Sequence, residues 1–315
     1  MAKLLKLIQN EWMKLWAKKA SWVMLALLIV IIILPTAITK YYELKNPEER
    51  TWQEIEEQNI TANEELLASG DLPLENTGII DEQIAISKYR LANDIPNDSS
   101  KSVEGTVSYG IDLIMLITLF TVIVAATIVS SEFSTGTIKM LLTRPVSRAK
   151  ILTSKLLTVF LYGILLIVVN LIVSYLVGLV VYGAGSGIAL SFVDGVVVEE
   201  SVWGNLSYIL LLSFGDFIMS TLFAFLIGSV FRSSSLAIGL TMFISFMGSM
   251  IVAFLSQYAF VKYIWLTHSN LTQYAYDNVM VEGITMPMSL TVLAIYAVIF
   301  LVISYGSFMK RDVTA

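Results

Sequence analysis

The chain has 315 residues, of which 56% are hydrophobic and only 14% charged, and it carries a net charge of −5. Its mean hydropathy of +0.76 lies outside the range of ordinary soluble globular domains. The absence of cysteine excludes disulfide bonds, iron–sulfur clusters and thiolate zinc sites.

The sequence also lacks the short motifs of catalysis and nucleotide binding. It contains one histidine, His268, and neither a His-Glu-x-x-His zinc motif nor a Gly-x-x-x-x-Gly-Lys-Ser/Thr phosphate loop. We therefore expect no catalytic residue, no metal site and no cofactor in this chain, and no nucleic-acid partner.

Six long apolar stretches dominate the sequence. Each has about 19–27 residues, enough for a helix to cross a hydrocarbon core roughly 30 Å thick. The pattern predicts an all-α polytopic membrane protein with six transmembrane helices. The predicted spans are 20–38, 107–130, 156–182, 205–230, 235–257 and 289–308.

The charges between the spans predict the orientation. Basic residues concentrate in the leader 1–19, in the link 131–155 and in the tail 309–315, whereas most acidic residues lie in 39–106. Since short basic loops stay on the inner side, we predict that both termini are cytoplasmic. The basic inner face should attract anionic lipids of a plasma membrane, which we expect to be bacterial.

Residues 1–19 have the pattern of an amphipathic helix. Leu4, Ile8, Trp12 and Leu15 recur at steps of three and four residues, with lysines on much of the other side. Such a basic, tryptophan-bearing helix is typical of the membrane interface. A simple lead-in to the first span is the alternative.

Three outer segments separate the spans. The segment 39–106 is acidic and poor in apolar residues, and we expect two or so helices, which either capture substrate or form a solvated cap. The segment 183–204 opens with glycines and is predicted to be a flexible turn. The segment 258–288 is rich in tyrosine, which favours short helices that dip into the outer leaflet.

Three polar residues interrupt the spans. Asp112 lies near the outer end of the second span, Asp216 near the middle of the fourth, and Asn170 in the third. A charge at mid-bilayer costs about 2.5–3.5 kcal/mol on insertion scales, so such residues face a bundle interior or a wet cavity. They mark either a substrate path or a fastener between helices. Ser213 and Ser220 share the helical face of Asp216 and are expected to hydrogen-bond it.

The inner link 131–155 combines a glutamate, a glycine turn and a short apolar run closed by a proline. Pro145 disfavours helix at Arg144 and ends the run. Apolar residues bordered by basic ones predict a protruding helix that docks into the groove of a partner. An ordinary basic loop held at the lipid headgroups is the alternative. The residues of interest are Glu132, Phe133, Gly136, Thr137, Ile138, Leu141, Leu142, Arg144, Pro145 and Arg148.

This pattern resembles the inner link of the permeases of type-2 ABC exporters. The resemblance rests on Glu132-Phe133-x-x-Gly136-Thr137-Ile138-x-x-Leu141-Leu142-x-x-Pro145-x-Ser147-Arg148, followed by Lys155. Six spans, a basic interfacial N-terminal helix and cytoplasmic termini agree with it. In that family the link forms the coupling helix against a separate ATPase subunit.

The resemblance implies a role for each part of the link. Glu132 would orient the coupling helix and Gly136 would provide its turn. Thr137, Ile138, Leu141 and Leu142 would enter a cleft of the ATPase, with Arg144 and Arg148 at its rim or on lipid phosphates. The implied assembly contains two ABC ATPase subunits, which bind ATP and Mg²⁺, and a second permease chain, identical or related.

Three classes of function remain open from the sequence. The first is an ABC exporter permease, whose cargo could be a peptide antibiotic, a drug, a lipid-linked sugar or an ion. The second is a secondary transporter driven by an ion gradient, with Asp112 and Asp216 as coupling sites, although no internal repeat is evident. The third is a membrane receptor or scaffold that signals through the basic link.

Overall fold

The computed structural model describes residues 2–47, 50–69, 74–97, 101–137, 146–193, 195–231, 233–276 and 278–310. Six helices in these ranges are long and apolar enough to cross a membrane, which confirms the all-α polytopic fold. They are Lys19–Lys45, Val103–Ser134, Arg148–Val181, Val202–Val230, Ser234–Leu255 and Met286–Lys310. The sidedness of the two termini stays a prediction.

The helices carry the following labels in chain order. The first is α1, Ala2–Trp16, and the first span is α2, Lys19–Lys45. Between the first two spans lie α3, Trp52–Ser69, and α4, Leu74–Asn93. The second span consists of α5, Val103–Asp112, and α6, Ile114–Ser134. The remaining spans are α7, Arg148–Val181, α8, Val202–Val230, α9, Ser234–Leu255, and α11, Met286–Lys310, with the short α10, Trp265–Ser269, before the last.

The third spanning helix begins earlier than the sequence indicated. The predicted span starts at residue 156, whereas α7 starts at Arg148. Nothing between Arg148 and Lys155 breaks a helix, and the hydropathy pattern misses these two turns because more than half of their residues are charged or hydroxyl-bearing. Residues assigned to the end of the inner link therefore belong to the helix of the third span.

The chain forms two compact units. The first contains Met1–Ile29, Ile111–Asn170 and Tyr208–Ala315, and the second contains Val30–Gly110 and Leu171–Ser207. The core of the first unit consists of apolar side chains from α6, α7, α8 and α11, including Phe225 and Leu152, which are fully buried.

Two helices of the first unit approach closely at a glycine. A Cβ atom at Gly228 of α8 would lie 2.4 Å from the backbone oxygen of Ala126 in α6. Small residues allow such backbone contacts between spanning helices, where van der Waals packing holds the bundle together. Near the same contact, the hydroxyls of Ser130 and Ser234 lie 3.0 Å apart and link α6 to α9.

The segment before the last span folds as short helical pieces, as predicted. Ala259–Tyr263 and Leu271–Tyr274 are 3₁₀-helices on either side of α10. The imidazole of His268 is fully buried and lies 2.6 Å from the hydroxyl of Ser289 and 2.8 Å from the backbone oxygen of Lys262. This histidine fastens the short helices to the start of α11. Whether they dip into the outer leaflet stays a prediction.

The second unit contains two features of the outer segments. Helices α3 and α4 pack together, as expected for 39–106, and the buried Glu56 accepts hydrogen bonds from Ser87 at 2.6 Å and Asn97 at 2.9 Å. The segment 183–204 is not merely a flexible turn. It contains an antiparallel hairpin of β1, Ile188–Val193, and β2, Val196–Ser201, because its β-branched residues favour strands and Gly195 turns with φ of +83°.

The close contact at Gly228 generates a stability prediction. Gly228→Ala should force α6 and α8 apart and lower the free energy of unfolding by about 1–3 kcal/mol, as overpacking does. Gly239 in α9 has no atom within 4 Å of its would-be Cβ, so Gly239→Ala should be neutral or slightly stabilising. Thermal unfolding of both variants in detergent measures the difference. Equal melting temperatures would contradict the packing argument.

Candidate functional site

A buried ion cluster lies at the base of the inner link. The ammonium group of Lys155, only 1% exposed, lies 2.7 Å from Oε2 of Glu11 and 3.0 Å from Oε1 of Glu132. The ammonium group of Lys14 lies 3.1 Å from the same Glu132 oxygen and 3.2 Å from Oε1 of Glu11. Two lysines and two glutamates therefore join α1, α6 and α7.

The cluster is balanced in charge, which explains how Glu11, Glu132 and Lys155 can be buried while the side chain of Lys14 stays 45% exposed. A single carboxylate or ammonium group would be costly in this environment, whereas each group here has two partners of opposite sign. Partial burial lowers the pKa of Lys14, but the carboxylates of Glu11 and Glu132 outweigh this effect, so its net pKa is raised. Lys14 therefore stays charged at any physiological pH.

Glu132 also positions the start of the link. Its carboxylate accepts a short hydrogen bond from the hydroxyl of Thr137. Between them the chain turns at Gly136, whose φ of +72° lies in the left-handed region that favours glycine. The predicted turn at Gly136 is confirmed. The hydrogen bond from Thr137 to the carboxylate of Glu132 joins the residues on either side of this turn.

The link is also held from the last span. The ring of Phe133 packs edge-on against Phe308, with centroids 6.2 Å apart, and the guanidinium of Arg148 donates to the backbone oxygen of Met309 at 3.1 Å. The hydroxyls of Thr153 and Tyr305 lie 2.7 Å apart and tie α7 to α11 further along. Phe133 and Arg148 therefore contact the last span of the same chain.

The central part of the predicted docking helix lies outside the described residues. The residues concerned are Ile138, Leu141, Leu142, Arg144 and Pro145. The structure describes the residues on either side of this segment, up to Thr137 and from Val146 onward.

A second candidate site is a polar cavity of about 270 Å³ inside the first unit. Asp112 and Asp216 both line it, together with serines from α8 and α9. The hydroxyl of Ser220 donates to Oδ1 of Asp216 at 3.2 Å, as the helical spacing predicted. The prediction for Ser213 is wrong, because its hydroxyl donates to the backbone oxygen of Ile209, one turn earlier in the same helix, at 2.9 Å.

The cavity contains two of the three polar residues singled out in the spans. Asn170 of α7 is fully buried but is not among the residues that line the cavity. Tyr276 lines it on the other side, and burial, together with the nearby carboxylate of Asp112, raises the pKa of the Tyr276 hydroxyl. The structure therefore brings Asp112 and Asp216 to one space and separates Asn170 from them.

Sequence reasoning missed most of the ion cluster. Lys155 enters the sequence pattern only as the last residue of the motif, and Glu11 and Lys14 lie in the stretch 1–19 that predicts an amphipathic helix. One signal was present: Glu11 is the single acidic residue in the basic stretch 1–19. Within the described residues, no group of three or more histidine, aspartate or glutamate side chains could hold a metal ion.

The fold and these two sites define a polytopic membrane protein with six spanning helices. The chain belongs to the family described as "Protein of unknown function (DUF2705)", which matches residues 78–314. It is similar to "Uncharacterized protein YhcI" of Bacillus subtilis (strain 168), with 36% identity over 315 residues that cover 98% of this chain and 99% of that protein. It is also similar to "Uncharacterized membrane protein YdbK" of the same organism, with 31% identity over 214 residues that cover 66% of this chain and 82% of that protein.

The ion cluster generates a prediction about stability. Lys155→Met should leave Glu11 and Glu132 buried without their shared partner and lower the free energy of unfolding by about 3–5 kcal/mol. The matched control is Lys88→Met. Lys88 forms an ion pair with Glu64, and the two side chains are 57% and 52% exposed. That change should cost less than about 1 kcal/mol. Chemical denaturation in mixed micelles compares them, and similar losses would refute the structural role of the cluster.

Proposed function

We propose that this protein is the transmembrane permease subunit of an ABC exporter. In this proposal a separate ATPase subunit hydrolyses ATP and drives export of a substrate through the spans. The single observation that carries the proposal is the ion cluster of Glu11, Lys14, Glu132 and Lys155, because it anchors the inner link to three helices at once.

The first step of the argument is mechanical. A link that transmits force must be stiff where it joins the spans. Glu132 and Thr137 hold the first turn of the link, and Arg148 holds its last residues to the end of α11. A push on residues 138–145 would therefore reach α6, α7, α11 and the interfacial helix α1, rather than being lost in a flexible loop.

The second step is chemical. The segment 138–145 contains apolar residues, Ile138, Leu141 and Leu142, bordered by Lys139 and Arg144. An apolar tip with a basic rim suits a cleft of a soluble subunit, where the apolar part is desolvated and the rim sets the orientation. The sequence resemblance to type-2 ABC exporter permeases supports the same reading.

The third step concerns the assembly. The resemblance implies two ATPase subunits, each with ATP and Mg²⁺, and a second permease chain, so that the pathway forms between two copies. The protein is embedded in a membrane, and we assign it to the bacterial plasma membrane. Peptide antibiotics, drugs, lipid-linked sugars and ions remain candidate cargoes, because a fold does not specify a substrate.

A secondary transporter driven by an ion gradient is the second candidate. The observation that favours it is the polar cavity lined by Asp112 and Asp216. Carboxylates within spans are the usual sites of ion coupling in such transporters. The two candidates differ in their energy source. Vanadate-sensitive ATPase activity in a purified complex would support the exporter, and transport by the chain alone under an ion gradient would support the alternative.

The docking prediction is tested by a charged substitution in the link. Leu141→Asp with Leu142→Asp should abolish co-purification with the proposed partner ATPase and remove the vanadate-sensitive activity. The melting temperature of the permease should stay unchanged. Leu66→Asp is the control, since Leu66 is 43% exposed in α3. A complex that survives the double substitution would overturn the docking role.

A further inference from the structure

The cavity of the first unit contains two acidic side chains and no basic one among its described lining residues. The acidic side chains are those of Asp112 and Asp216. Neither aspartate forms a salt bridge within the described part of the chain. A carboxylate that has no basic partner within the protein can bind a cation that enters the cavity, because the cation offsets the cost of its burial.

The remaining lining indicates the kind of cation. A volume of about 270 Å³ leaves room for a small organic molecule. Trp265 and Tyr276 also line the space. Aromatic rings beside carboxylates favour ammonium groups, which bind to the face of a ring through its quadrupole.

A buried hydroxyl in the lining provides an independent observation. Thr118 of α6 is only 5% exposed and lines the cavity. Among the described residues, its hydroxyl has no hydrogen-bond partner, although most threonines of the spans donate to a carbonyl of the preceding turn. This hydroxyl is therefore available to a polar part of a ligand that enters the cavity.

We infer that this cavity binds a small organic cation, with its ammonium group between Asp112 and Asp216. The aromatic residues contact the alkyl substituents of the ammonium group, and the hydroxyl of Thr118 donates a hydrogen bond to a hydroxyl or ether oxygen of the ligand. The inference rests on the proposed function only for the direction of transport, because in an exporter this organic cation would be the exported substrate. Binding itself does not require the ATPase.

Choline is a suitable probe because it joins a quaternary ammonium group to a hydroxyl. Its neutral isostere, 3,3-dimethylbutan-1-ol, has the same shape without the charge. Isothermal titration of the full chain in lipid nanodiscs should detect choline binding, and the isostere should bind at least about tenfold more weakly. Equal affinity for the two compounds, or preferential binding of Na⁺ over choline, would refute the inference.

Substitutions locate the binding. Asp216→Asn keeps the shape and the hydrogen bond from Ser220, and it should weaken choline binding by about tenfold or more. Asp112→Asn should act in the same direction, and it is a safe second variant because Asp112 is exposed. Asp81→Asn is the matched control on the exposed face of α4 and should bind choline like the unaltered protein. Unchanged binding in both cavity variants would overturn the assignment.

The outcomes separate this inference from the proposed function. Choline binding without vanadate-sensitive ATPase activity would keep the cation site and reject the exporter. ATPase activity without choline binding would keep the exporter and reject the cation site.

Discussion

The ammonium group of Lys155, buried between the carboxylates of Glu11 and Glu132, is the interaction on which the inner end of the structure depends. It brings the N-terminal helix, the end of the second span and the start of the third span to a single point. Because burying ions is costly, such an arrangement persists only when all members are present together. The cluster is therefore better understood as a device that specifies geometry than as a source of stability.

Neighbouring contacts fix the residues at both ends of the inner link, and this set of contacts is called the frame here. Glu132 reaches forward to Thr137 across the left-handed turn at Gly136, and Arg148 reaches the end of the last span. The frame connects four helices of one unit to both ends of a short segment. These contacts fix the described residues on either side of 138–145, as the proposed coupling to a separate ATPase would require.

The polar cavity adds chemistry to this mechanical picture. Packing between spans does not require two carboxylates. Ionisable groups within spans are costly, so those that occur tend to have a function. Asp216 is supported by Ser220 within its own helix, and Asp112 lies where α5 gives way to α6. The cavity and the ion cluster both lie in the first unit, so the proposed ligand site and the proposed coupling site belong to one packed core.

The sequence predicted the parts of this structure that depend on local composition. Six spans follow from hydropathy, and the bond from Ser220 to Asp216 follows from a spacing of four residues. The ion cluster could not be predicted, because Lys155 is separated from Glu11 by 144 positions and from Glu132 by 23. Ser213 was assigned to Asp216 wrongly because a serine hydroxyl can bond to its own helix, and spacing does not decide between the two partners. The hairpin escaped prediction because its first strand has only two β-branched residues, Ile188 and Val193, and the glycines before the strand indicated a turn.

The most direct test of the proposed function follows helix α1 through the ATP cycle of the proposed complex of two permease copies and their ATPase. The chain has no cysteine, so Met13→Cys on the exposed side of α1 provides a single spin-label site in each permease copy. Electron paramagnetic resonance of the complex with its ATPase should show a distance between copies that shifts when ATP and vanadate are added. Glu11→Gln, which releases α1 from Lys155, should abolish or broaden that shift. A shift that persists unchanged in Glu11→Gln, or that is absent from the intact cluster, would contradict the account.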